Sequence, residues 1–280
     1  MSWSQLSMPV HAALAQFPGV PYAEALQSLM IGVEEDFGCV SIDHIQINPQ
    51  NRGRMTPDTL DQLVSMSPGS QFRFHANVHI DGHSPRDLEA SYAQSGPARQ
   101  YFHSLKELND SVGSPAYTLH AGERSACGSL GELFSNVHMI EDILSCPVGV
   151  EGHYPDENKF WIQDWEEYAV LLHSDVRYAL DLSHLNVVAR KTGRAELGLT
   201  RELVSSDRCI EVHLSHNNGR SDAHVALEGF IPWWVSALDA IHPQCVVFTE
   251  GVQNRGPNSK RRAERGLDWV PEIVLAGERG

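Results

Sequence analysis

The feature that most constrains the fold is a regular alternation of short apolar strands with helical segments. Eight segments have the length, the apolar content and the flanking turn residues of strands. They are Met8–Ala12, Ile42–Pro49, Gln71–His75, Ala116–His120, Val148–Glu151, Arg177–Asp181, Cys209–Leu214 and Cys245–Glu250. Because a helix follows nearly every strand, the chain can return to the same edge each time, which predicts a parallel sheet.

The intervening helices are predicted where apolar residues recur at helical spacing. They are Tyr22–Ile31, Thr56–Val64, Asp87–Leu108 with an interruption at Gly96-Pro97, Leu130–Leu144, Gln163–His173, a weak helix from Thr200 to Ser205, and Ile231–Ile241. Eight such units predict an α/β fold, a single (β/α)8 TIM barrel, which typically needs about 250 residues. An open doubly wound sheet is the alternative, and it is disfavoured because no glycine-rich phosphate loop follows an early strand. No linker interrupts the pattern, so residues 1–280 are assigned to one metalloenzyme domain.

The composition narrows the classes of function. Asp and Glu number 36 against 21 Lys and Arg, and this formal charge of -15 disfavours nonspecific nucleic-acid binding, since phosphate contacts need a basic surface. The five cysteines are scattered and include no CxxC pair, which argues against a disulfide framework. With neither a secretory signal nor an apolar run of membrane-spanning length, we expect a cytoplasmic protein without membrane association.

Imidazole and carboxylate side chains recur at the carboxyl ends of the predicted strands. These ends share one rim of a parallel barrel, where active sites lie. In E-V-H-L-S-H-N-N-G-R-S-D-A-H, residues 211–224, a strand ends near a histidine and the next loop adds Asp-x-His. Such ligands suit zinc, manganese, iron or cobalt. The full set of predicted metal ligands is His75, His120, Glu151, Asp181, His184, His213, Asp222, His224 and Glu250.

Each of these residues, taken alone, has a simpler structural explanation. A histidine at a strand end is more often hydrogen-bonded in the core, Asp181 could cap the next helix, and 217–220 reads as a turn. His79 and His83 lie close enough in sequence to replace His75. The repetition over successive strands nevertheless favours a metal site, because buried carboxylates need partners. Nine ligands exceed the needs of one ion, so we expect one to three divalent metal ions per chain (Mn, Zn, Fe, Mg or Co).

The motifs resemble those of the xylose-isomerase-like TIM barrels, a superfamily that includes sugar isomerases, sugar epimerases and endonuclease IV. They follow the family's order over most of the chain. They are L-H-A-G at 119–122, V-E-G at 150–152, L-D-L-S-H at 180–184, V-H-L-S-H-N-N-G-R-S-D-A-H at 212–224 and T-E-G at 249–251. In addition, H-A-A at 11–13 resembles the first strand of the endonuclease branch.

The isomerase and epimerase branch implies one divalent ion at Glu151, Asp181, His213 and Glu250. It predicts an isomerase or epimerase of a small hydroxy-carbonyl, sugar-like substrate that works through a metal-stabilised enediolate. The two glutamates would act as ligand and as proton acceptor and donor. His184 would orient substrate oxygens, and Arg220 would neutralise charge or contact a hydroxyl. This is the function that we favour from the sequence.

The endonuclease branch implies a trinuclear zinc site that uses all nine positions to hydrolyse a phosphodiester. The surroundings depart from that branch, since E-G-H-Y stands at 151–154 in place of E-N-T, and Ser183 replaces a cysteine. A third branch holds two or three irons and oxidises cysteine-containing peptides. The substrate is therefore open between a small molecule, DNA and a peptide, and a homo-oligomer is also left open. The basic segment at 258–265 could bind phosphate, although a solvated helix is the simpler explanation.

Overall fold

The computed structural model describes residues 3, 6–80, 88–253 and 271–275. Eight parallel strands close into a barrel, in which each strand lies beside its neighbours in sequence and the last pairs with the first. They are β1 (Val10–Ala13), β2 (Ser41–Ile47), β3 (Gln71–His75), β4 (Tyr117–His120), β5 (Val148–Glu151), β6 (Arg177–Asp181), β7 (Cys209–Leu214) and β8 (Val246–Thr249). The predicted (β/α)8 barrel is confirmed.

Helices surround the barrel between successive strands. They are α1 (Tyr22–Ile31), α2 (Pro57–Met66), α3 (Gly96–Val112), α4 (Leu130–Leu144), α5 (Trp165–His173), α6 (Leu182–Thr192), α7 (Leu197–Ser205) and a 3-10 helix, Trp233–Ala240, in the place of the predicted helix before β8. Thr56 caps α2, as its sequence indicates, through its side chain and the N–H of Thr59. The described part of the chain contains no helix both long and apolar enough to span a bilayer.

Two predicted helices need correction. Gly96-Pro97 is not an interruption: α3 begins there, because Ser95 caps the N–H of Ala98 and proline fits the first turn, where an N–H has no helical partner. Between β6 and β7 the prediction recovered only part of α7 and missed α6 entirely. The α6 helix starts directly after Asp181, whose carboxylate accepts the N–H groups of Ser183 at 2.6 Å and His184 at 3.4 Å.

The barrel interior carries a polar layer, unlike the apolar shell between strands and helices. Arg73 on β3 and Glu211 on β7 meet at 3.0 Å, and since these strands are not neighbours the contact crosses the interior. Both residues lie two positions before a predicted ligand, on the same face of their strands, because side chains alternate along a strand. The polar layer therefore supports the rim from below. His83 and the basic segment at 258–265 lie outside the described residues.

Candidate metal centre

The structure brings all nine predicted ligand side chains together at one rim of the barrel. Eight of them form four overlapping groups of three whose ligand atoms lie within 4.8 Å of one another. The ninth, Asp222, joins through its Oδ2 atom, which lies 3.4 Å from His184 Nε2 and 2.5 Å from His224 Nε2. The four groups are His75-His120-Glu151, Glu151-Asp181-His184, Asp181-His224-Glu250 and His75-His213-Glu250.

Glu151 lies at the middle of this cluster and is almost completely buried. Its Oε1 atom faces His120 Nε2 at 4.0 Å, and it lies 3.6 Å from His184 Nδ1, the nitrogen that bonds the Gly152 carbonyl. Its Oε2 atom faces a different pair, His75 at 3.6 Å and His213 at 3.2 Å. The two oxygens of one carboxylate are therefore turned toward different imidazoles.

Four ligand atoms of the cluster are buried and make no well-aligned hydrogen bond to any described residue, although groups of opposite charge face them at 3.2–3.5 Å. The four atoms are Glu151 Oε2, Asp181 Oδ2, His213 Nδ1 and His224 Nδ1. Leaving a buried polar atom unpaired costs about 1–3 kcal/mol, more when it is charged. All four can donate a lone pair to a cation. These buried ligand atoms show that the residues present fit divalent metal ions, and this observation is independent of the sequence motifs.

Three histidines are each oriented by a hydrogen bond at one ring nitrogen. In each ring the other nitrogen faces a carboxylate of the cluster. Ligand histidines in metal sites are commonly held in this way, which fixes both the tautomer and the ring plane. The orienting contacts are His75 Nδ1 to Thr118 Oγ1 at 2.9 Å, His184 Nδ1 to the Gly152 carbonyl at 2.8 Å, and His213 Nε2 to Glu211 Oε2 at 3.2 Å.

Glu211 is the centre of the supporting layer, and sequence reasoning missed it. Its fully buried carboxylate accepts hydrogen bonds from Arg73 Nη1, Thr118 Oγ1 and Gln46 Nε2, each at 3.0 Å. Asn48 adds a similar bond to Glu250 Oε1 at 3.0 Å. The signal was present in the sequence, since a charged residue stands two positions before both His75 and His213 on strands that end at the rim.

The electrostatics of the cluster reflect crowded carboxylates. Burial raises the pKa of Glu250 to about 7, against the attraction of His213 and His224. Burial acts in the same direction on Glu151, but His213, His75 and His120 hold the pKa of that carboxyl well below its usual range. Burial would lower the pKa of His213, yet the surrounding carboxylates raise it well above the ordinary value. A field that draws protons onto a buried imidazole also attracts a divalent cation.

Exposure separates the inner part of the cluster from its mouth. The side chains of His120, His224 and Asp222 are 27%, 21% and 15% exposed, whereas the other six are nearly inaccessible. Arg220, predicted as a catalytic residue, is exposed, and no described ion pair joins it to the nine. The role of Arg220 in contacting a substrate therefore stays a prediction.

Comparison with known proteins identifies the fold. No protein-family model matches the sequence, and no curated protein matches it significantly. Among solved structures, a D-tagatose 3-epimerase-like protein superposes with a TM-score of 0.63 and 14% identity, over 93% of this chain and 97% of that one. The IolI protein with a zinc atom bound gives 0.57 and 13%, over 93% and 94%. An AP endonuclease of family 2 from Brucella melitensis gives 0.54 and 18%, over 94% and 98%.

Proposed function

We propose that this chain, which has the fold of the xylose-isomerase-like TIM barrels, is a metal-dependent enzyme that hydrolyses a small phosphoester at a multinuclear site. The observation that carries the proposal is Glu151, which belongs to two of the four ligand groups. Its two oxygens face different imidazoles, with His120 Nε2 4.0 Å from Oε1, and His75 Nε2 and His213 Nδ1 3.6 Å and 3.2 Å from Oε2. A carboxylate in that position can bridge two ions. Pairs of ions about 3.5–4 Å apart are typical of phosphoester hydrolysis, where they stabilise the attacking and leaving oxygens.

Two further carboxylates support a site for more than one ion. Asp181 and Glu250 each belong to two of the four ligand groups, so they too lie between neighbouring positions. Zinc is the ion that we propose, because neutral imidazole and carboxylate are among its usual ligands. The similar IolI protein was solved with zinc bound, which agrees with this choice.

The proposed substrate is small because the chain is acidic. A formal charge of -15 repels a long polyanion, whereas bound cations offset that repulsion locally at the rim. Tyr154 is half-buried beside the mouth, with its ring 5.4 Å from that of His184, and it is placed to contact a bound substrate. Arg220 lies two positions before Asp222 and is proposed to meet a phosphate oxygen from the exposed side.

An isomerase or epimerase of a small hydroxy-carbonyl compound is the second candidate, and a specific observation favours it. The carboxyl of Glu250 is buried, and Asn48 holds its Oε1 at 3.0 Å, which leaves Oε2 turned toward the cluster to bind an ion or exchange a proton. In this function Glu151, Asp181, His213 and Glu250 would hold one ion. His184 and the Asp222-His224 pair would then contact the substrate.

Metal content and hydrolysis, measured on the same protein, test the proposal. The full chain is loaded with zinc, freed of excess and analysed for zinc per chain, and its activity is measured on bis(p-nitrophenyl) phosphate. We expect two or three zinc ions, and activity that a chelator abolishes and zinc restores. Glu151→Gln should lose at least one ion and at least about 100-fold in rate, because it removes a ligand rather than a supporting residue. Glu196→Gln, which changes a buried carboxylate outside the cluster, is the matched control.

The alternatives give different results in the same experiment. One ion per chain, with interconversion of ketohexoses and no hydrolysis, would replace the proposal with the isomerase. Two or three irons in protein purified without added metal, together with oxidation of a cysteine-containing peptide, would indicate the oxidase. Faster cleavage of a duplex with an abasic site than of the small diester would make DNA the substrate. Protein that takes up no metal would remove the whole family of proposals.

A further inference from the structure

A second group of metal-competent side chains lies at the outer edge of the cluster. Glu89, His120 and His153 have ligand atoms within 4.8 Å of one another. The Nε2 atom of His153 lies 3.8 Å from Glu89 Oε1. The ring centroids of His120 and His153 are 4.8 Å apart, with their planes tilted by 31°. Glu89 and His153 belong to neither of the ligand sets that the family resemblance implied.

His153 is buried, and one of its ring nitrogens makes no hydrogen bond within the described residues. The residue is only 7% exposed, and Nε2 has no hydrogen-bond partner in the part of the chain that the structure describes. Its ring stacks on Phe160 with centroids 4.1 Å apart and an interplanar angle of 17°. The stack fixes the plane of the imidazole, so the free nitrogen has a defined direction toward Glu89.

Glu89 reaches this position because Gly122 has no side chain. A Cβ atom at Gly122 would lie 2.8 Å from both Cβ and Oε2 of Glu89, and 2.2 Å from Ser91 Oγ. The backbone of Gly122 also has a φ of +89°, which favours glycine. The glycine of the L-H-A-G motif therefore allows the segment that carries Glu89 to pack directly against the end of β4.

We propose that Glu89, His120 and His153 form an additional position for a divalent cation at the mouth of the barrel. Two imidazoles and a carboxylate are a ligand set of zinc enzymes, and such a set leaves a coordination position open for another ligand. Ligand atoms bound to one zinc at ~2.0–2.2 Å lie roughly 3–4 Å from one another. Each of the three side chains would therefore need to move by less than about 1 Å to bind the same ion. The outer position faces the mouth and would accept an anionic group of a substrate.

His120 links the outer position to the inner cluster, because it belongs to a group in each. An imidazole has two nitrogens, and once the remaining N–H proton is released to solvent the imidazolate of His120 can hold one ion on each side. This inference rests on the proposed function in one respect, because both proposals use His120. It requires an extra bound ion and does not depend on which reaction the inner cluster performs.

Equilibrium dialysis against Zn²⁺ alone, with zinc per chain as the readout, tests the outer position. We expect His153→Asn and Glu89→Gln each to bind one ion fewer than the wild-type chain. The matched control is His216→Asn, since His216 is also 7% exposed, has both ring nitrogens unpaired among the described residues, and packs on Phe230 with centroids 4.7 Å apart. His153→Phe keeps an aromatic ring in the stack, and it separates loss of a ligand from loss of packing.

The outcomes distinguish this inference from the proposed function. Retention of the wild-type number of ions by both Glu89→Gln and His153→Phe would overturn the outer position, even in a chain that hydrolyses phosphoesters. Loss of an ion in His216→Asn as well would also overturn it, because the effect would then be general. Conversely, a chain that binds several ions, loses one in both variants and shows no hydrolysis would support the outer position and reject the proposed function.

Discussion

The buried pair of Arg73 and Glu211 should contribute strongly to stability, and replacing Arg73 with Met tests this. The two side chains meet at 3.0 Å, and their side chains are 9% and 0% exposed. Arg73→Met keeps much of the side-chain volume but removes the cation. Glu211 would then keep its contacts to Gln46, Thr118 and His213 while losing the guanidinium that pairs with it.

The magnitude follows from the distance and the burial. Two unit charges 3.0 Å apart attract by about 5 kcal/mol at an effective dielectric constant of about 20. Breaking a buried pair by removing one partner typically costs about 3–5 kcal/mol, since the other charge stays buried. The remaining hydrogen bonds to Glu211 keep the effect within that range. We therefore expect Arg73→Met to lower the free energy of unfolding by about 3–5 kcal/mol at pH 7.

The effect should also depend on pH in a defined direction. Burial opposes ionisation of Glu211, but His213 and Arg73 lower the pKa of its carboxyl from 4.5 to about 2. A carboxyl whose folded pKa is lowered contributes stability above its unfolded pKa and loses it as the pH falls through the folded value. The gap between wild-type and Arg73→Met should therefore be full near neutrality and should narrow as the pH falls from 4.5 toward 2.

Urea unfolding of the chelated protein, followed by circular dichroism, measures the loss without a contribution from bound metal. Arg201→Met is the control, because Arg201 pairs with Asp239 at 2.6 Å but both side chains are nearly half exposed. That change should cost less than about 1 kcal/mol. Adding Glu211→Leu to Arg73→Met should recover most of the loss. The reasoning is refuted if Arg73→Met costs no more than the control, or if the double variant is no more stable than the single one.

Three further predictions concern residues around the site. Burial raises the pKa of Glu35 from 4.5 to about 7, so the free energy of unfolding should fall by roughly 3 kcal/mol as the pH rises between these values. Glu35→Gln should reduce this dependence on pH, measured by urea unfolding, and an unchanged dependence would contradict the prediction. A Cβ at Gly152 would lie 2.4 Å from Tyr168 Oη, so Gly152→Ala should lower the free energy of unfolding by at least about 1–3 kcal/mol. The melting temperature should fall in this variant but not in the control Gly69→Ala, where the added Cβ meets no atom within 4 Å. Thr118→Val removes the hydroxyl beside His75 Nδ1, and zinc affinity measured against a chelating dye should fall by about 10–100-fold; an unchanged affinity would mean that the hydroxyl does not orient the ring.

The fold and the nine clustered side chains were predictable because most of the predicted ligands stand at or just after the carboxyl ends of the predicted strands. Residues that end the parallel strands of a barrel meet at one rim, so the positions of the strand ends in the sequence predict which residues lie close together. The helix α6 was missed for the opposite reason. Its residues from Leu182 to Ala189 are all buried, including His184 and Asn186, so it lacks the apolar stripe and polar face by which a helix is recognised in sequence.

The contacts that support the site depend on distances that the sequence does not contain. Arg73 and Glu211 each alternate with apolar residues, a pattern that usually places a charge outside a sheet, and only closure of the barrel brings them together. Glu89 and His153 lie 64 residues apart, and Gly122 leaves room for Glu89 to reach this position. The short 3-10 helix Trp233–Ala240 has an apolar composition close to that of an α-helix, so its hydrogen-bond pattern was also hidden.

The carboxylates that belong to two ligand groups have a thermodynamic consequence. Glu151, Asp181 and Glu250 each lie between neighbouring groups, so an ion that orders one of them for its own position also orders it for the next. The second ion then loses less conformational entropy on binding, which opposes the repulsion between the cations. The affinities of the positions are therefore properties of the whole cluster, and one ion's binding constant changes with the occupancy of the others.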